Sequence, residues 1–120
     1  MLMNIEYIRE YCLSKNGTNK SFPFDESTLV FKVLDKMFAL TGLDCLPTQI
    51  NLKCDPEYTL ELRDQHSDIT GGYHMNKKHW NTVIVEGDLE DQMVLSLIDH
   101  SYDLVVSSFS RKKAKELDSL

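Results

Sequence analysis

Nothing in this chain approaches the run of ~18 apolar residues that a membrane-crossing helix requires. Its opening, Met-Leu-Met-Asn-Ile-Glu, lacks the charged and apolar regions of a secretory signal. A membrane span is therefore not expected, and cytoplasmic residence is. The cysteines are few and odd in number: three, Cys12, Cys45 and Cys54, with no CxxC spacing. That argues against a disulfide framework and fits a reducing compartment. Low-complexity tracts, internal repeats and linkers are also absent. Residues 1–120 are thus expected to form a single domain, long enough to bury a core without staples. Positive charge is scarce as well: 13 Lys and Arg face 19 Asp and Glu, a formal net charge of −6. Such a balance opposes non-specific attraction to phosphate over the whole surface. Any nucleic-acid contact has to come from a local patch.

One stretch reverses the balance. From Ile69 to Val85 there is no acidic residue, and within it lies Gly71-Gly72-Tyr73-His74-Met75-Asn76-Lys77-Lys78-His79-Trp80-Asn81-Thr82-Val83. Two imidazoles, adjacent lysines, an aromatic pair with the chain's one tryptophan, and an asparagine stand together there.

The periodicities around that block predict its scaffold. Asn4 caps a first helix over 4–15, with Ile5, Ile8 and Cys12 on one stripe and Asn16-Gly17 as its stop. Ser21-Phe22-Pro23-Phe24 reads as an edge, because proline cannot donate to a ladder. Leu29-Val33 and Met37-Leu40, joined by Leu34-Asp35-Lys36, read as a hairpin. From Thr48 to Lys53, Ile50 and Leu52 alternate with Gln49, Asn51 and Lys53, the pattern of a strand packed on one face and wet on the other. Asp55-Pro56-Glu57 opens a helix to His66 that buries Tyr58, Leu62 and Leu60. Ser67 to Gly72 reads as a loop, Asn76 to Trp80 as one helical turn, and Thr82 to Val85 as a strand. A long helix follows, capped by Asp88, with Leu89, Met93, Val94, Leu97, Ile98, Ser101, Leu104 and Val105 at helical spacing on one broad buried face. Arg111-Lys115 forms a terminal helix or a tail. Hairpin-linked strands flanked by helices give an α+β two-layer sandwich, an antiparallel sheet with helices on one face.

Several of these segments resemble the MmcQ/YjbR family: Phe22-Pro23-Phe24, Leu29-Val33 with Lys36-Leu40, Asn51-Pro56, Gly72-Val83 and Leu97-Tyr102. The resemblance runs from the first helix to about Val106. It implies a CyaY/frataxin-like fold and a DNA-binding role through a "double wing" surface of strands and hairpins, with no enzyme activity and no cofactor. It brings no agreed binding residues with it. The iron site of frataxins, on an acidic first helix, does not transfer, since the first helix here offers Glu6 and Glu10 alone.

The residues themselves suggest a surface. Lys77 and Lys78, with His74 and His79, suit phosphate. Trp80 and Tyr73 suit base stacking, and Asn81 a base edge. Lys32, Asn51 and Lys53, outward by alternation, extend that surface across the sheet. Lys112, Lys113 and Lys115 offer a second contact if they lie nearby. The plainer reading makes Trp80 and Met75 core residues, Asn81 a turn residue and the lysines solvated. His74 and His79 lie about 140° apart on a helix, unlike an i, i+4 metal pair, so no metal site is expected. Cys54 with His74 or His79 and Asp55 has the residue types of thiol chemistry, but a strand-end cysteine is more simply a small buried hydrophobe. Asp99-His100 is expected at the surface. The sequence therefore points to a non-enzymatic module, a monomer by default, whose partner is DNA; the alternative is a small-anion or protein-binding module with no nucleic-acid role.

Overall fold

The computed structural model describes residues 4–44, 46–72 and 75–120. Its elements are α1 (Ile5–Leu13), β1 (Thr18–Ser21), β2 (Thr28–Val33), β3 (Lys36–Gly42), β4 (Gln49–Lys53), α2 (Pro56–Gln65), β5 (Ile69–Gly71), β6 (Trp80–Ile84), α3 (Asp91–Ser107) and α4 (Arg111–Asp118). The six strands form one antiparallel sheet in the order β1-β2-β3-β4-β6-β5.

Local chemistry sets most boundaries. Asn4 Oδ1 accepts from the Tyr7 N–H at 2.9 Å and starts α1, which buries Ile8 and Cys12 one turn apart. The helix ends at Leu13, short of the expected residue 15, and Gly17, at φ +73°, turns the chain into β1. β1 is an edge strand, but it runs over Thr18–Ser21 and stops before Pro23, so the edge expected over Ser21-Phe24 lies one strand-length earlier in the chain. The predicted hairpin is β2–β3, with Leu34 at φ +57° in its two-residue turn. Asp55 caps α2, its Oδ2 accepting from the N–H groups of Glu57 and Tyr58 at 3.1 Å each.

All the helices share one apolar layer against one face of the sheet. Ile8 and Cys12 of α1, Leu62 of α2, Val94, Leu97, Ile98 and Val105 of α3 and Leu117 of α4 cluster with Phe31, Phe38, Ile50, Leu52, Ile69 and Val83. This is the two-layer α+β sandwich that the alternation in β4 predicted. No helix among the described residues is long and apolar enough to cross a membrane.

A bulge organises the centre. Phe31 pairs with Ala39 but Lys32 pairs with Met37, leaving Phe38 as the extra residue, and Phe38 and Ala39 are both fully buried. The β3–β4 ladder then consists of Leu40–Asn51 and Ala39–Leu52. Just past its end, Ser101 on α3 inserts its hydroxyl. Oγ donates to the Phe38 carbonyl at 2.5 Å and accepts from the Lys53 N–H at 2.9 Å. A helix side chain thereby bridges the two strands where the bulge leaves their backbone groups apart.

Several expectations are corrected. Leu60 is 69% exposed, and Thr59 takes the buried position beside Leu62. The segment read as a loop contains β5, three residues paired to β6, too short to show a period. Asp88 does not cap α3; the helix begins after Glu90 without a side-chain cap, and the Asp88 N–H is held by Asp68 Oδ2 at 2.6 Å. The terminal basic segment is a helix, α4, started by Ser110 Oγ accepting from the Lys113 N–H.

Ser101→Ala strands both backbone groups in a buried setting. A loss of about 1–3 kcal/mol is expected, read as a lower midpoint in urea at unchanged slope. An unchanged midpoint would mean the bridge contributes nothing.

Candidate nucleic-acid interface

Residues directly opposite in an antiparallel pair share a face, so the register defines what the helix-free face carries. A central row runs Ser21–Val30–Leu40–Asn51–Thr82–Thr70 across all the strands. On one side of it lie Asn19, Lys32 and Met37, and then Lys53 opposite Trp80. On the other side lie Thr28 with Gly42, and Gln49 with Ile84. None of these positions is acidic. Lys32 and Lys53 sit at the same end of the sheet, two strands or about 10 Å apart.

The face is not uniformly open. Val30 is fully buried although it belongs to no helix-packed cluster, and Ser21 Oγ beside it is enclosed without a partner among the described residues. Access is better at the other end, where Lys32, Asn51, Lys53 and Trp80 are each partly exposed. Asn51 Oδ1 accepts from Thr82 Oγ1 at 2.6 Å, so its amide NH2 is the group free to meet a ligand.

The Lys77–His79 turn flanks that end. Asn76 builds it: its carbonyl accepts from the N–H groups of His79 and Trp80 at 3.2 and 2.9 Å, and its Oδ1 from that of Lys78 at 2.9 Å. The His79 carbonyl in turn accepts from the Cys54 N–H at 2.8 Å, fastening the turn to the end of β4. Lys77 and Lys78 are exposed and His79 is partly so. Gly72 has no room for a side chain, since a Cβ there would lie 3.0 Å from that of Met75 and 3.1 Å from that of Trp80.

Behind the turn stands Arg63, which the sequence reading passed over. From the last turn of α2 its Nε donates to Asn81 Oδ1 at 2.8 Å, and its Nη2 to the carbonyls of Trp80 at 3.1 Å and Lys77 at 2.5 Å. Asn81 Nδ2 points to Thr59 Oγ1 at 3.3 Å. Asn81 is therefore removed from the expected set. It is 2% exposed, opposes Leu52 on the helix-packed face, and holds β6 to α2. The available signal was the spacing of Thr59 and Arg63, one helical turn apart on the stripe that meets Asn81.

The other expected residues divide clearly. Lys32, Asn51, Lys53 and Trp80 share the helix-free face, and Lys77, Lys78 and His79 border it. Tyr73 and His74 lie outside the described residues. Lys113 is paired with Asp35 and lies 4.8 Å over the Phe109 ring, which ties α4 to the β2–β3 turn.

Asp99 and His100, expected only at the surface, are tethers. Asp99 Oδ1 accepts from Tyr11 Oη at 2.7 Å and pairs with Lys15 at 2.5 Å. His100 Nε2 accepts from the Asp55 N–H at 3.2 Å, with its ring edge-on to Tyr58. Burial pushes the Cys54 thiol up, away from the thiolate form, and the Asp55 carboxylate is engaged as the α2 cap.

A model of the YjbR family matches residues 13–104. The chain belongs to that family. The uncharacterised protein YjbR of Escherichia coli K12 is 36% identical over 118 residues, covering 98% of this chain and 100% of the relative. YyaQ of Bacillus subtilis, also described as uncharacterised, is 28% identical over 121 residues, 86% of this chain and 98% of its own. A crystal structure of a Deinococcus radiodurans protein superposes with a TM-score of 0.91 at 40% identity, over 98% of this chain and 89% of that one. A Pseudomonas syringae protein superposes at 0.73 with 32% identity, over 85% and 98%.

Two outcomes test this local account of the YjbR-family chain. Arg63→Ala should cost about 1.5–3 kcal/mol, because it strips charged donors from buried acceptors. Arg63→Lys should not restore it, since an ammonium cannot reproduce the fork. Cys54, mapped by mass spectrometry, should alkylate far more slowly at neutral pH than a free cysteine; rapid labelling would contradict its burial.

Proposed function

We propose that this YjbR-family chain is a non-enzymatic DNA-binding module, and that DNA docks on the helix-free face at its Lys53–Trp80 end. The observation supporting this reading is the distribution of charge. In a chain of net charge −6, the strand positions of that face carry no carboxylate, while Lys32, Lys53, Lys77 and Lys78 lie on it or beside it. The acids are elsewhere: Glu6 and Glu10 on α1, Glu57, Glu61 and Asp64 on α2, and Asp103 on α3 are all exposed. These surfaces repel phosphate, leaving the helix-free face and the basic side of α4, with Arg111, Lys112 and Lys115 exposed, as the surfaces it can approach. Lys53 and the Lys77–Lys78 turn contact phosphate, Trp80 stacks, and the Asn51 amide donates to a base or sugar oxygen.

A salt series on DNA binding tests the assignment. The logarithm of the affinity should fall linearly with the logarithm of salt, and Lys53→Ala and Lys77→Ala should each flatten the slope by about 0.7–0.9. No binding at low salt, or a slope indifferent to both lysines, removes the assignment.

A protein-binding role is favoured by the opposite end of the sheet. Phe22 (48%), Phe24 (67%), Leu43 (45%) and Leu46 (87%) are large exposed apolar side chains there. Their loops are joined by the Leu43 N–H donating to the Ser27 carbonyl at 2.7 Å, and they carry Asp25, Glu26 and Asp44 without a lysine or arginine. A partner with an apolar, basic face suits that end. Phe24→Ser should then leave DNA binding unchanged; a loss of DNA binding would show that the two ends are not independent.

A further inference from the structure

Resting on the DNA-binding assignment, we infer that the strand form recognised at the Lys53–Trp80 end is single-stranded, and that the duplex is a poor ligand. Reading a duplex requires an element that protrudes: a helix or a two-stranded ribbon entering the major groove, about 12 Å wide, to reach base edges. Helix α2 presents exposed carboxylates, Glu57, Glu61 and Asp64. The β2–β3 ribbon carries Asp35 at its tip, an exposed carboxylate already bound to Lys113. The hydrogen bond from the Lys113 ammonium holds its pKa below the usual carboxylate range, so it remains an anion at neutral pH. Neither α2 nor the Asp35 tip presents a run of free cations to a groove, and α4, about two turns long, mixes exposed Arg111, Lys112 and Lys115 with Glu116 and Asp118.

The charge-compatible surface is instead the broad face of a sheet. A sheet face reaches the base edges of a duplex at the cost of deforming it, whereas it can directly receive bases that have been splayed out. A partly exposed indole stands directly opposite a lysine, with the Asn51 amide in the next row. An aromatic platform beside cations that follow a backbone is the arrangement that binds single strands with little sequence preference. The backbone that carries the indole is anchored, the Trp80 carbonyl accepting from the Gly72 N–H at 3.0 Å and from Arg63 Nη2 at 3.1 Å.

The chain has one tryptophan, Trp80, so its fluorescence reports on this platform alone. The experiment titrates the full chain with a mixed-sequence oligonucleotide of about twelve residues, as a single strand and as a duplex, following both oligonucleotide anisotropy and Trp80 emission. The single strand should bind at least about tenfold more tightly than the duplex and quench the emission. Trp80→Ala should weaken single-strand binding roughly 5- to 150-fold, with Trp80→Phe retaining most of it. Should the alanine variant fail to fold, Trp80→Phe and Lys53→Ala carry the test, the latter lowering the salt slope by about 0.7 while the quench persists. Duplex binding as tight as single-strand binding, or single-strand binding that leaves Trp80 emission untouched, overturns the inference while leaving DNA binding intact. Absence of binding to either form removes the DNA assignment itself.

Discussion

The hydroxyl of Ser101 is the contact on which the sheet's centre depends. A bulge gives β3 one more residue than its partner needs, and Phe38 is thereby turned into the helical layer along with Ala39. The cost of a bulge is an interrupted ladder. Here the interruption is mended by a helix: one hydroxyl serves as donor to one strand and acceptor from the next. The strand end fixed in this way carries Lys53, which puts a buried structural bond one residue's breadth from the proposed ligand surface. Next along α3, His100 receives the Asp55 N–H. The end of β4 is therefore defined by the helical layer as much as by its neighbouring strands.

The second organising feature is the partition of charge between the layers. Carboxylates cap α2, cover the outer sides of the helices and brace loops, as when Asp25 accepts from the N–H groups of Ser27 and Thr28 at 2.9 and 2.7 Å. Those bonds, led by that from Ser27, hold the Asp25 pKa below its ordinary range, so its charge persists across the neutral range. The strand positions of the helix-free face contribute none of this charge. A net acidic molecule can in that way offer one neutral-to-basic surface, which total charge alone does not reveal.

Much of this was legible in the chain. Alternation from Gln49 to Lys53 gave the two-sided sheet correctly, because one strand with a wet and a dry face determines the layer beneath it. The caps Asn4 and Asp55 fixed helix starts for the same local reason in each case. The setting of Lys53 beside Trp80 was only partly legible: alternation put Lys53 outward, but register with β6 is a long-range property. Asn81 was misassigned because it stands in a basic, aromatic block whose members face different ways. A strand sends neighbours to opposite sides, so Trp80 and Asn81 cannot share a surface. Arg63, Ser101 and His100 act through partners distant in sequence, and no local pattern announces such bonds. The shortness of β5 hid it, as three residues carry no period.

The fastening of α4 bears on the proposed surface from an unexpected direction. Its Lys113 grips Asp35 at the hairpin tip, and the helix is itself pinned where Asn16 Nδ2 donates to the Leu117 carbonyl at 2.8 Å. Asp35 lies just beyond Lys32 in sequence, so at the corner of the sheet nearest that lysine a carboxylate is offset by a cation lent from the far end of the chain. The terminal helix thus acts as an electrostatic shield. Without it, that carboxylate would stand uncompensated by Lys113 before any residue of the face itself had been altered.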